Sequence, residues 1–185
     1  RAGDAGGVNG SATSPPVHDQ GMGPGGALGT YGAGEDRYTL YADSQDPHRI
    51  REVRARNIFN IPEHRIRVVS ENVGGAFGAK GWAYSEHRLV LWLAKKLGRP
   101  VKWACDRSEA LLADEHARDC ISEAELALDA NGRFLALRVQ NVSNLCAYVS
   151  SDRQLAPTFS NPGCLAAGCA VPAAPGRVAG VFRHP

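Results

Sequence analysis

The sequence predicts an α+β fold, in which a mixed α/β layer is followed by a C-terminal β-hairpin. Strand-like and helix-like segments alternate from residue 38 onward, which is typical of a layered fold whose first elements are parallel. Further along, the pair Asn131–Gly132 lies between two runs in which apolar and polar residues alternate. This pair between two such runs is a strong local signal for a hairpin.

Length and composition are those of an ordinary globular protein. The 185 residues suffice for one domain with a real core, and 43% are hydrophobic while 22% are charged. A net charge of +2, with Lys and Arg spread along the chain, disfavours nucleic-acid binding. No apolar run approaches the ~20 residues of a membrane span, and the N-terminus lacks a signal-segment pattern. We therefore expect a cytoplasmic protein without a membrane span.

Glycine and proline mark the segments that are expected to carry little regular structure. Residues 1–20 contain few large apolar side chains and are expected to be loosely ordered. The segment GMGPGGALGTYGAGEDR, residues 21–37, is again rich in glycine and is predicted to be a loop. Residues 157–185 form a Pro/Gly/Ala-rich tail that we expect to be weakly structured. The predicted domain therefore covers residues 21–156.

The first regular elements are a strand and a helix. YTLYADSQ, residues 38–45, alternates as a short strand does. Asp46 is a suitable N-cap and Pro47 suits the first helical position, so a helix is expected to begin there. Apolar residues then recur at helical spacing until Pro62, which disfavours the helical conformation in the residue before it.

Four further elements precede the hairpin. RIRVVSEN, residues 65–72, is predicted to be the second strand. A helix is expected from the N-cap Ser85 to the stop signal Gly98, and it has a broad apolar face. PVKWACD, residues 100–106, is the third predicted strand, and residues 107–119 are predicted to form a short helix or turn.

A glycine-rich loop, VGGAFGAK, separates the second strand from the helix that follows it. Such turns can cradle phosphate, but the phosphate-loop pattern fails because Ala79 replaces its second glycine and Gly81 follows Lys80. Two interpretations remain open. The glycines allow a ligand to approach the backbone closely, or they form a tight turn whose Phe77 packs into the core. The spacing alone favours the turn.

Three segments, in order between residues 21 and 149, carry a resemblance to a known family. They are YTLYADSQDPHRIREVRARNIFNIPEHRIRV, the loop VGGAFGAK, and LAKKLGRPVKWACDRSEALLADEHARD. Together they resemble the Q-x-P-H segment, the GGxFGxK loop and the GRPVK strand of the molybdenum hydroxylases. That family includes xanthine dehydrogenase, aldehyde oxidase and the carbon monoxide dehydrogenase large subunit. The resemblance implies the family's first molybdopterin-binding domain.

The resemblance also assigns roles to individual residues. Gln45 would hydrogen-bond an apical ligand of molybdenum, whereas without the resemblance it reads as a solvated turn residue. Gly74, Gly75, Phe77 and Gly78 would pack against the pyranopterin and the ligands of the metal. The resemblance places no catalytic residue and no protein ligand of the metal on this chain.

The implied activity is that of an oxidoreductase that hydroxylates a small aldehyde, CO-like or heterocyclic substrate. Its cofactor would be molybdenum–molybdopterin, in the cytosine dinucleotide form. Iron–sulfur and FAD groups would lie on partner subunits, beside the remainder of the large subunit. Because such subunits are several times longer, this chain is expected to hold half the site and to be inactive alone. The alternative is a non-catalytic binding or subunit-contact domain that keeps only the fold.

Several positions leave alternatives open or depart from the family. Lys80 is either a phosphate contact or a surface charge. Gly23 and Gly25 stand where the family has a charged pair, which puts the anchoring of that segment in doubt. The five cysteines, an odd number without a CxxC pair, are expected to be free thiols. His116 and Cys120 could bind a metal if they lay on a helix, although a solvated turn is favoured.

Overall fold

A computed structural model describes residues 6–18, 21–114, 116–145 and 176–181. The chain divides into two units. Unit 1 consists of Arg1–Val17 and Arg118–Pro185, and unit 2 of His18–Ala117. In the described residues, no helix is both long and apolar enough to cross a membrane. The strands and α-helices, in chain order, are β1 (Gly6–His18), β2 (Gly26–Gly32), β3 (Arg37–Ala42), α1 (Pro47–Val53), β4 (Ile66–Val69), α2 (Ser85–Leu97), β5 (Val101–Ala104), α3 (Arg107–Ala113), β6 (His116–Leu128), β7 (Phe134–Asn144) and β8 (Gly176–Val181).

Unit 2 is built on a mixed four-stranded sheet with the order β4-β3-β2-β5. β3 and β4 are parallel, with Tyr38 opposite Ile66, as expected for two strands joined by a helical connection. β2 runs antiparallel to both β3 and β5. Together with the β6–β7 hairpin, this arrangement confirms the predicted α+β fold.

The prediction of a loop over residues 21–37 is wrong, because β2 occupies a central place in the sheet. Its glycines hid the strand, since glycine is depleted from strands in general. At Gly29 the glycine has a packing role. A Cβ at that position would lie 2.6 Å from the carbonyl carbon and oxygen of Val90 in α2. The bare backbone therefore lets α2 lie directly against the sheet.

The two longer predicted helices form, with small differences at their ends. Asp46 caps α1 as expected, since its carboxylate accepts a hydrogen bond from the backbone N–H of Arg49 at 3.0 Å. α1 continues into a single π-helical turn, Arg54–Phe59. Ser85, the predicted N-cap of α2, is instead its first helical residue. α2 ends at Gly98, whose φ of 63° is the left-handed conformation that glycine favours.

The core of unit 2 lies between the sheet and the two helices α1 and α2. Its aromatic part is the pair Tyr38 and Phe59, whose rings stack with centroids 5.0 Å apart. The most deeply buried aliphatic residues come from β3, α1, β4 and α2, and they are Leu40, Ile50, Ile66, Val90 and Leu91. This core holds β3, β4 and α2 in place, and the loops that end or begin at these elements are fixed with them.

Unit 1 contains the second sheet, with the order β1-β6-β7-β8. The predicted hairpin is confirmed, because β6 and β7 are antiparallel and Gly132 has a φ of 79° in their turn. The structure differs from expectation at β1 and β8, which lie in segments expected to be loosely ordered. Both strands are bonded to a neighbour through the backbone, which requires no large side chain.

Two further predictions concern this part of the chain. His116 and Cys120 lie on β6, so the helical spacing that would have supported a metal site is absent. The rest of the predicted tail, residues 157–175 and 182–185, lies outside the described residues. The extent of the cofactor-binding domain, residues 21–156, therefore stays a prediction.

Candidate functional site

Two glycine-rich loops meet in unit 2. The first glycine loop, residues 21–25, leads into β2, and the second glycine loop, residues 73–81, connects β4 to α2. The backbone N–H of Gly23 donates a hydrogen bond to the carbonyl of Gly74 at 3.1 Å. Neither loop contains a strand or an α-helix, although Ala79–Gly81 form a 3-10 turn, and each loop leads into an element of the core.

The loops pack against each other through bare backbone. A Cβ at Gly74 would lie 2.6 Å from the nitrogen of Gly23, and a Cβ at Gly21 would lie 2.8 Å from the carbonyl oxygen of Gly75. Real Cβ atoms do not approach backbone atoms this closely. The sequence pattern allowed a ligand to approach these glycines closely. In the structure, the close neighbour of each loop is the backbone of the other loop.

Gln45 lies after the end of β3 and is bonded to the second glycine loop twice. Its side-chain Oε1 accepts a hydrogen bond from the N–H of Gly78 at 2.8 Å, and its backbone N–H donates to the carbonyl of Lys80 at 3.1 Å. Because the N–H of Gly78 is a donor, the amide oxygen must be the atom that faces it. Gln45 is an exposed residue, and with Oε1 facing Gly78 the Nε2 group is the remaining hydrogen-bond donor of its side chain.

Phe77 stands at the tip of the second glycine loop. Its side chain is 70% exposed, so the interpretation that it packs into the core is wrong. Its φ of 47° is uncommon for a non-glycine residue. Gly75, with a φ of 92°, lies directly beneath the ring, since a Cβ there would come within 2.8 Å of Phe77 Cε2. The loop therefore presents an aromatic face to its surroundings.

Lys80 is not a surface charge, although the sequence left that alternative open. Only 9% of the residue is exposed. Its Nζ donates hydrogen bonds to the carbonyl of Gly23 at 2.7 Å and to Oδ2 of Asp43 at 3.3 Å. The ammonium thus joins the first glycine loop to the end of β3, which is the segment that carries Gln45.

The first glycine loop is anchored by a second cation, Arg107, the first residue of α3. Its two terminal nitrogens donate to the carbonyls of Gly21 and Met22, each at 2.7 Å. The loss of the family's charged pair at Gly23 and Gly25 therefore does not leave the loop unsupported. No sequence pattern predicts this contact, because Arg107 is more than 80 residues away along the chain.

The back of the second glycine loop is held by Tyr84. Its hydroxyl donates to the carbonyl of Ala79 at 2.7 Å, and its own carbonyl accepts a hydrogen bond from Arg54. The ring of His87 lies edge-on to the ring of Tyr84, with centroids 6.1 Å apart. Tyr84 therefore links the second glycine loop to the π-helical turn that follows α1 and to α2. The sequence does not distinguish this tyrosine from the other four.

Burial lowers the pKa values of Arg54 and His87, the two basic residues that lie next to Tyr84. Burial, reinforced by the positive charge of Arg88, lowers the pKa of Arg54 to about 10. Burial and the nearby Arg54 lower the pKa of His87 to about 4. At neutral pH Arg54 is therefore charged and His87 is neutral.

The hydrogen-bond donors described at this site are backbone N–H groups and the side chains of Lys80, Arg107 and Tyr84. Among the described residues, no cluster of three or more His, Cys, Asp or Glu side chains could hold a metal ion. Burial and a hydrogen bond with Glu109 raise the pKa of the Cys105 thiol to about 11, so that thiol is neutral at pH 7. The site is thus suited to a cofactor that is held through hydrogen bonds and backbone contact.

Comparison with known proteins identifies the fold family. A sequence model described as "Molybdopterin cofactor-binding domain" matches residues 3–181. The chain belongs to this family. The resemblance to the molybdenum hydroxylases is thereby confirmed, and so is the prediction of a domain that binds molybdopterin.

Individual members show how far the likeness extends. The 6-hydroxypseudooxynicotine dehydrogenase complex subunit gamma of Paenarthrobacter nicotinovorans is 38% identical over 104 residues, which are 56% of this chain and 13% of that protein. The carbon monoxide dehydrogenase large chain of Hydrogenophaga pseudoflava is 35% identical over 134 residues, 72% of this chain and 17% of that one. The crystal structure of quinoline 2-oxidoreductase from Pseudomonas putida 86 superposes with a TM-score of 0.82 at 32% identity, covering 96% of this chain and 22% of that one. The chain thus spans less than a quarter of each of these proteins.

Proposed function

We propose that this molybdopterin-binding chain contributes part of the active site of a molybdenum-dependent oxidoreductase. In this proposal Gln45 and the residues Gly74, Gly75, Phe77 and Gly78 contact the cofactor. The observation that carries the proposal is the orientation of Gln45. The Gly78 N–H lies 2.8 Å from its amide oxygen, which leaves Nε2 as the remaining side-chain donor of this exposed residue beside the second glycine loop.

The residues present fit the cofactor. The ligands of a bound molybdenum would accept hydrogen bonds, and the Nε2 group of Gln45 would supply one such donor. The exposed ring of Phe77 offers a flat apolar surface beside it. When bound, the cofactor would supply the two-electron oxidising chemistry, and the chain would supply orientation and hydrogen bonds.

The role of the chain's own residues is preorganisation. Lys80, Arg107 and Tyr84 fix the two glycine loops before any ligand arrives, so little ordering remains to be done when a cofactor binds. Gly81 leaves open the space over the Gln45 side-chain amide, since a Cβ at position 81 would lie 3.7 Å from Cδ of Gln45. A larger side chain at this position would narrow the approach to Gln45.

We further propose a small substrate of the aldehyde, CO-like or heterocyclic class, in a complex with iron–sulfur and flavin subunits. The named relatives support this class, because one is a carbon monoxide dehydrogenase and another oxidises quinoline. Purines are disfavoured, since Gly81 replaces the Glu of the xanthine-oxidising enzymes. The cytosine dinucleotide form of the cofactor and a cytoplasmic location belong to the same proposal. Oxidation would require the remainder of the large subunit.

The variant Gln45→Glu tests the proposal. It keeps an oxygen that can accept from Gly78 but replaces the Nε2 donor with a carboxylate oxygen. We expect molybdenum and pterin content, measured after co-expression with cofactor synthesis, to fall at least about tenfold, the cost of one charge-assisted contact. Gln140→Glu on β7 is the matched control and should retain the wild-type content. Equal retention in both variants would show that the Gln45 side chain does not hold the cofactor, and would contradict the proposal.

A further inference from the structure

Lys80 connects three segments that are distant in the sequence. Its Nζ lies 2.7 Å from the carbonyl oxygen of Gly23 and 3.3 Å from a carboxylate oxygen of Asp43. Its own carbonyl accepts the backbone N–H of Gln45 at 3.1 Å. Lys80, a residue of the second glycine loop, thus contacts both the first glycine loop and the segment after β3 that carries Asp43 and Gln45.

The burial of Lys80 makes these contacts obligatory. Its side chain is 10% exposed, whereas that of Asp43 is 31% exposed. An ammonium group removed from water is tolerated only when a carboxylate and further hydrogen-bond acceptors replace its hydration. The partners of Lys80 are therefore part of the fold and are present without any ligand.

The partners of Lys80 are also connected to residues of the proposed cofactor site. Asp43 precedes Gln45 by two residues, and Gly23 is bonded to Gly74. With the ammonium occupied by two internal acceptors, the geometry does not favour the phosphate contact that the sequence left open. A link from Gly23 to Asp43 instead sets how far the first glycine loop stands from the Gln45 segment.

We propose that Lys80 is a positioning residue, which fixes the first glycine loop against Gln45 and so shapes the cofactor site without contacting the cofactor. Its effect on the cofactor rests on the proposed function. Its effect on the two loops does not, and it can be measured in the chain without any cofactor.

The test is hydrogen exchange of single backbone amides, followed by NMR in the cofactor-free chain. Lys80→Met keeps the length of the side chain and removes its charge. We expect the amides of Gly23 and Gln45 to exchange at least about tenfold faster, because both of their hydrogen bonds depend on the position of Lys80. The control is Lys102→Met, an exposed lysine on β5, which should leave both amides unchanged.

A second variant keeps the test decisive if Lys80→Met does not fold. Asp43→Asn retains the size of the partner and removes its charge, and it should accelerate the same two amides. Unchanged exchange at both amides, in whichever of these variants folds, would overturn the proposal.

Pterin content separates this proposal from the proposed function. If the wild-type chain retains pterin, Lys80→Met should retain at least about tenfold less than Lys102→Met. Equal retention would show that Lys80 does not shape the cofactor site. If the wild-type chain itself retains none, the proposed function fails for this chain, while the exchange result still decides whether Lys80 positions the loops.

Discussion

Gly74 and Gly23 are in direct backbone contact, so that a Cβ on Gly74 would lie 2.6 Å from the nitrogen and 3.0 Å from the Cα of Gly23. The same pair is joined by a hydrogen bond of 3.1 Å. Glycine at position 74 is therefore required by the contact between the two loops, whether or not a cofactor is bound. The first and second glycine loops are therefore joined to each other by direct backbone contact.

Gly74→Ala should destabilise the chain by about 1–3 kcal/mol, because the new methyl group meets backbone that cannot move aside as a side chain would. Urea denaturation measures this loss as a lower transition midpoint. Cofactor content should fall with it, since separation of the loops displaces Gly75 and Gly78.

Gly34→Ala is the matched control. Gly34 is also a loop glycine, but a Cβ there would meet nothing within 4 Å. Its stability should stay within about 0.5 kcal/mol of the wild-type value. A Gly74→Ala variant as stable as Gly34→Ala would contradict the close contact between Gly74 and Gly23.

Tyr84→Phe removes the hydroxyl that bonds the carbonyl of Ala79 and changes little else. Ala79 is buried, so its carbonyl would lose a partner that water does not easily replace. We expect the free energy of unfolding to fall by roughly 0.5–1.5 kcal/mol. Denaturant titration provides the measurement, with Tyr41→Phe as the control because Tyr41 is an exposed tyrosine of β3. The same loss in both variants would mean that the Tyr84 hydroxyl has no special role.

His87 should make the fold sensitive to acid. Its pKa is lowered from 6.5 to about 4, so between these values the unfolded chain binds more protons than the folded chain. The contribution of His87 to the free energy of unfolding should therefore be fully present above pH 6.5. It should be lost as the pH falls toward 4. The decline is about 1.4 kcal/mol for each pKa unit, or roughly 3 kcal/mol in all.

The acid sensitivity is tested by comparing stability against pH in two variants. His87→Leu should lose this part of the acid slope, because the group that must be neutral in the fold is gone. His64→Leu, in an exposed position, should keep it. An unchanged slope in His87→Leu would show that burial of this histidine does not control acid stability.

Local signals in the sequence predicted the parts of the fold that depend on local chemistry. Asp46 marks the start of α1 because its carboxylate caps the helix, and the cap needs only three neighbouring residues. Asn131–Gly132 marks the hairpin because Gly132 supplies the positive φ of the turn. The second glycine loop was visible for a similar reason, since Gly74, Gly75 and Gly78 lie close together in the sequence.

The remaining parts depend on contacts that are distant in the sequence. β2 was not predicted because its glycines look like loop residues. Glycine is needed at position 29 because the backbone of Val90, a residue of α2, packs directly against it. The role of Lys80 was left open and the contact of Arg107 was not predicted, because each bonds a backbone carbonyl of the first glycine loop and a carbonyl carries no sequence identity. The contacts that hold the first glycine loop in place therefore become evident only in the three-dimensional structure.

The most direct test of the central claim is the molybdenum and pterin content of the purified wild-type chain, co-expressed with cofactor synthesis. We predict near-stoichiometric molybdenum together with a pterin that becomes fluorescent on oxidation, because the loops and Gln45 are held in place without a ligand. A folded chain that contains neither molybdenum nor pterin would contradict the proposal that Gln45 and the second glycine loop hold the cofactor in this chain.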